Sequence, residues 1–249
     1  MSLAPLDYDF GVPANYAFAE TITCSNDEAR KMYVEAFGHM LNYNHEQAIA
    51  CFTKCAELDE NCAMAWWGIA YCLSSSYNWS AGLGPGYDAI SQAVALKDHC
   101  SELEQDLIMA LSKRHTKEAR DNANPAALNM GNSPELNQAF ADAMAPLYEK
   151  YKGNLDVTAI YVEALMNLNP WTLWNKDAAS GEITPVDDST LMLIKIMEDA
   201  FENVPGAKEH PALCHLYCHA LELSPYPERA LPAADVLRTL MPGCGHLVH

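Results

Sequence analysis

Apolar residues recur at three- and four-residue spacing along most of the chain, the period of helices that bury one face. Such stretches cover 27–42, 45–58, 63–73, 87–98, 101–114, 134–151, 155–168, 189–203, 210–223 and 227–240. Alternating apolar and polar runs closed by Asn-Gly or Asp-Gly turns are absent, so strands are not expected. The short polar link Asn42-Tyr43-Asn44 suits an antiparallel pair formed by the first two stretches. In the third, Trp66, Ile69, Ala70 and Leu73 fall on one stripe and are expected to face the core. Two segments break the period. Thr116 to Pro134 mixes Asn, Pro, Gly and charge and reads as an exposed loop. Residues 169–188 hold Pro170, Trp171, Trp174, Gly181 and Pro185, and the two tryptophans imply an irregular loop packed on the body. Pro242-Gly243 is a stop signal before another helix would begin. Helix pairs repeated in this way predict an all-α solenoid, a right-handed curved array without a sheet, forming one domain over 1–249.

Composition narrows the partners. Half of the 249 residues are hydrophobic, ample for a sizeable core. Thirty-three acidic residues against 15 basic ones give a formal charge of −18, which excludes nucleic acid and anionic membranes and favours cationic ligands. Nine cysteines form no CxxC pair, and Cys51, Cys55, Cys72, Cys214 and Cys218 lie in apolar stripes. They read as buried reduced thiols, so a cytoplasmic setting is expected. No run of 18 apolar residues exists, and the first ten residues lack the basic start and apolar stretch of a signal peptide. The sequon Asn78-Trp79-Ser80 is therefore discounted. Phosphate-binding glycine loops, Gly-x-Ser-x-Gly elbows and zinc-finger spacings are also missing.

Ala48, Phe52 and Cys55, followed by Leu58-Asp59-Glu60-Asn61 and then Ala65-Trp66-Trp67-Gly68-Ile69-Ala70, resemble the passage from one tetratricopeptide repeat into the next. Glu228-Arg229-Ala230-Leu231, Ala234, Leu237 and Pro242 resemble the second helix of such a repeat and its closing proline. The phrases Cys62 to Gly68, Glu163 to Trp171, Pro227 to Pro232 and Pro242 to His249 are similar to a subfamily of large bacterial-type tetratricopeptide-repeat proteins. In that subfamily the last phrase runs on into Met-Pro-x-His and further repeats. The resemblance implies that this chain corresponds to an N-terminal portion, cut before another histidine. It also implies a concave groove that takes a peptide or small-molecule ligand.

The candidate chemistry sits at the C-terminal end, where the last forty residues hold five of the nine histidines. His215, His219 and Glu222 are four and three residues apart, so on a helix they fall within an arc of roughly 60°. On the family's 34-residue period His249 lies beside His215, and His246 one turn earlier on the same face. These four imidazoles and one carboxylate are the expected ligands of a divalent transition metal, with Zn, Cu, Fe and Mn all compatible. The same phasing puts Cys214, Tyr217, Cys218 and Leu221 in the core, and His210 beside the helix cap at Pro211. It puts Trp67, Tyr71 and Ser74 on the groove, to stack on a ligand or to be covered by residues 75–87 or a later repeat. Glu163, inside an apolar helix, must be paired, bind metal or reach solvent, and is a candidate further ligand or general base. His115 stands in a polar stretch and is expected to play no part. Two functions follow: a metal-dependent enzyme built on the solenoid, or a non-enzymatic scaffold that binds a peptide or protein partner.

Overall fold

The computed structural model describes residues 21–41, 43–78, 85–122 and 133–248. They form helices α1 (Asp27–Leu41), α2 (His45–Leu58), α3 (Ala63–Cys72), α4 (Pro85–Leu96), α5 (Glu102–Leu111), α6 (Lys117–Asp121), α7 (Pro134–Lys150) and α8 (Leu155–Met166). After a two-stranded hairpin, β1 (Trp174–Lys176) and β2 (Ile183–Pro185), come α9 (Asp188–Asn203), α10 (Pro211–Leu221), α11 (Leu231–Leu240) and α12 (Gly245–Val248). The architecture is all-α, with one antiparallel hairpin as its minor exception. Among the described residues no helix is long and apolar enough to cross a membrane.

Helix ends follow local chemistry. Ser101 caps α5 in a capping box with Glu104, and Thr116, Ser133 and Asn154 cap α6, α7 and α8 with their side chains. Packing is largely sequential, α1 on α2 on α3 on α4 and α7 on α8 on α9, with further contacts of α3 on α5, α5 on α7 and α8 on α10. The turn between α11 and α12 comes back to the start of the chain. Cys244 Sγ lies 4.0 Å from the carbonyl oxygen of Gly38 in α1. The last helices therefore close on the first hairpin.

Four expectations need correction. Trp67, not Trp66, is the fully buried tryptophan of α3, and its Nε1 donates to the Leu107 carbonyl at 3.3 Å. The phase fails here because α3 packs against α2, α4 and α5, so apolar residues surround it and the stripe carries no direction. The segment 169–188 contains the β hairpin, and 116–134 contains α6, with residues 123–132 outside the described set. Beyond Pro242-Gly243, where another helix is expected to begin, the chain does form one, α12, which carries His246. His115 is buried, with Nε2 2.8 Å from Ser74 Oγ, and burial lowers its pKa to about 4.

The quoted Phe52 and Gly68 meet where α2 crosses α3. A Cβ on Gly68 would lie 2.5 Å from Cζ of Phe52, well inside contact distance. Gly68→Ala should destabilise the fold by about 1–3 kcal/mol through overpacking. Adding Phe52→Leu to Gly68→Ala should restore part of that loss in urea melts. Equal stability of wild type and Gly68→Ala would show that this crossing is looser than described.

Candidate metal centre

Helix α10 is capped by His210, whose Nδ1 accepts from the Leu213 amide at 3.2 Å while Nε2 faces Asp156 Oδ1 at 3.2 Å. Both ring nitrogens are thereby engaged, which makes His210 a cap and no ligand. One turn later, His215 and His219 leave the helix on the same side, and α12 delivers His246 to meet them. Their metal-binding nitrogens all lie within 4.8 Å of one another. Three of the predicted ligands are thus brought together; His249 lies outside the described residues.

Asn78 Nδ2 sits among the three rings, 3.3 Å from His215 Nε2, 3.1 Å from His219 Nε2 and 3.0 Å from His246 Nε2. An amide group has only two hydrogens to offer three ring nitrogens. Its Oδ1 is buried with no hydrogen-bond partner among the described residues. The amide NH2 group occupies the place where the three ring nitrogens converge, the position a cation would take.

The tautomer of His219 supports that reading. Glu222 Oε1 lies 2.8 Å from His219 Nδ1, and a carboxylate there needs a proton on Nδ1. The Nε2 lone pair is then left free to face the centre. Glu222 stands behind His219, outside the group of converging ligand atoms, because the two share one helix face and their side chains meet first. Carboxylate, imidazole and centre form the chain usual for metal-binding histidines. His215 is only 7% exposed, and burial first, then His219 and His246, push its pKa well below 6.5. It is neutral at physiological pH, the form that coordinates.

Three aromatic rings wall the site: Tyr77, whose ring lies 5.4 Å from that of His219, and the rings of Tyr43 and Trp171. Tyr43 lies 4.8 Å from the His246 ring and 5.5 Å from that of His215, and Trp171 lies 5.4 Å from that of His219. Tyr43 and Trp171 are the only non-glycine residues of positive φ among the described residues, at 55° and 61°. Tyr43 closes α1 in the position where a Schellman motif favours glycine, with Asn44 N bonded to His39 O and Tyr43 N to Met40 O. Trp171 follows Pro170 in a turn closed by Thr172 N to Asn169 O, at the place where a type II turn favours glycine. Such strain costs about 1–3 kcal/mol per residue and gathers at functional sites. Both residues, and Asn78, escaped the sequence reading, since only the folded backbone reveals the strain and the convergence.

Behind the histidines lies a small chamber lined by Tyr43, His45, Tyr71, Glu163 and His215 among others. Its volume of about 40 Å³ holds a few waters. Glu163 is buried and accepts from Tyr43 at 3.0 Å and from Tyr71 at 2.5 Å, so of its three foreseen fates it is paired. Burial and the Glu163 charge push the Tyr71 pKa well above 10, so the phenol keeps its proton to donate. The groove stripe is dispersed: Trp67 is core, Tyr71 faces Glu163, and Ser74 donates to the Ala70 carbonyl while meeting His115. All nine cysteines are free; Cys214 is buried and Cys218 half-buried, and burial raises their pKa to about 12 and about 11.

Comparison with known proteins returned no match to a family model, a curated protein or a solved structure.

If Trp171 is held in a strained turn, Trp171→Gly should be more stable than Trp171→Ala by about 1–2 kcal/mol, since both lose the ring but only alanine keeps the left-handed penalty. Equal stability of the two variants in thermal melts would remove strain from the account.

Proposed function

We propose that this chain is a tetratricopeptide-like helical-repeat protein that binds a divalent transition metal through His215, His219 and His246 and uses it as a metal-dependent enzyme. The observation that carries this reading is the convergence of three Nε2 atoms on the Asn78 amide, with Glu222 fixing the tautomer of His219. Imidazole donors suit Zn, Cu and Fe, and Mn less well. Three protein ligands leave a coordination position open, as in catalytic sites rather than closed structural ones. A bound cation supplies Lewis acidity and a lowered pKa for bound water. Asn78 either withdraws or turns its amide so that the buried Oδ1 faces the cation; amide orientation is an assigned quantity. Glu163 is the candidate catalytic base. It lines the chamber that His215 also lines, and the two tyrosine hydroxyls hold both of its oxygens in place. The size of the chamber favours a small substrate, or the small reacting end of a larger one. Trp67 and Ser74, expected on the groove, are engaged inside the fold and so add nothing to the alternative of a peptide scaffold.

Metal-free protein should gain about 2.7 kcal/mol of stability at a free metal concentration one hundred times the dissociation constant. His219→Ala and His246→Ala should each remove the part of the gain that the histidine centre supplies, while Glu222→Gln should weaken metal affinity there about 10–100-fold. Because Trp171 meets His219 edge to face with ring centres 5.4 Å apart, Cu or Co should quench its fluorescence, and Trp171→Phe should remove that quenching. Identical melting temperatures with and without Zn, Cu, Fe and Mn would refute the metal assignment.

A further inference from the structure

A second cluster of ligating groups lies inside the first helical hairpin. Glu35 and His39 are four residues apart on α1, hence stacked on one face, and Cys51 approaches from α2. Their carboxylate oxygen, ring nitrogen and sulfur all lie within 4.8 Å of one another. Cys51 is fully buried, His39 is 1% exposed and Glu35 9% exposed. We propose that Glu35, His39 and Cys51 form a second, structural metal site, suited to zinc, that ties α1 to α2.

The donor set argues for this role. A divalent cation with one thiolate and one carboxylate is electrically neutral, which lets the site sit in the core without an unbalanced charge. The centre of three neutral imidazoles keeps its full charge and stays reactive. Mixed N, S and O ligands at tetrahedral corners are ordinary zinc chemistry. Gln47, buried one turn before Cys51 with Nε2 3.9 Å from its sulfur, supplies the fourth corner once its amide is turned. Asn44 Nδ2 lies 3.3 Å from His39 Nδ1. Turned likewise, its Oδ1 accepts the Nδ1 proton and orients the ring. The site also has a consequence for the histidine centre. Residues 39 and 44 flank the turn that holds Tyr43 in its strained conformation, so a cation here fixes the ring that walls His246.

Cobalt distinguishes this site from the first, because only a thiolate ligand gives an intense sulfur-to-cobalt charge-transfer band. The reduced 249-residue chain, refolded from denaturant with Co(II), should show that band and bind two cobalt ions per chain. Cys51→Ala should lose the band and one of the two ions. His219→Ala should lose one ion and keep the band, so failure of either site is read separately. Should Cys51→Ala fail to fold, Cys51→Ser keeps the volume and must lose the band as well. Absence of the band in folded wild type, or its survival in Cys51→Ala or Cys51→Ser, overturns the proposal.

Discussion

The return of the C-terminal helices to the first hairpin sets the geometry of everything at the histidine centre. Cys244 rests against Gly38 across 206 residues of sequence, and the next turn carries His246 toward His215 and His219. Tyr43 fills the seam, touching both His215 and His246 with its ring and Glu163 with its hydroxyl. Loosening any one of these contacts would move one imidazole of the three.

That seam explains why a helical protein of acidic composition gathers imidazoles in its interior. Removing an imidazole from water disfavours its charged form, and three close together disfavour it further, as the lowered pKa of His215 reflects. His45, beside the same chamber, is held to about 4 mainly by burial. Ring nitrogens that point inward must be given a hydrogen-bond partner or a cation. Asn78 supplies the donor, imperfectly, and the remaining mismatch favours the cation.

Much of the fold was legible because helix periodicity and caps are local. Stretches such as 45–58 and 189–203 reappear within a residue as α2 and α9. The facing of α3 was not, since a helix apolar all round gives no phase and Trp67 took the place expected of Trp66. At the site, His215 and His219 were readable from a four-residue spacing on one helix, and His246 from the repeat period. Glu222 shared that spacing, yet its side chain is satisfied by His219 before it can reach the centre. Asn78 comes from a distant segment, and Tyr43 and Trp171 declare themselves only through backbone angles. Such residues leave no periodic trace.

The most direct test of the central claim is anomalous diffraction from crystals of the protein grown with zinc, measured on both sides of the zinc absorption edge. The account requires a peak about 2.0–2.1 Å from Nε2 of His215, His219 and His246, with Asn78 Nδ2 displaced from that point. A map with no peak there, and the Asn78 NH2 group still seated among the three rings, would contradict it.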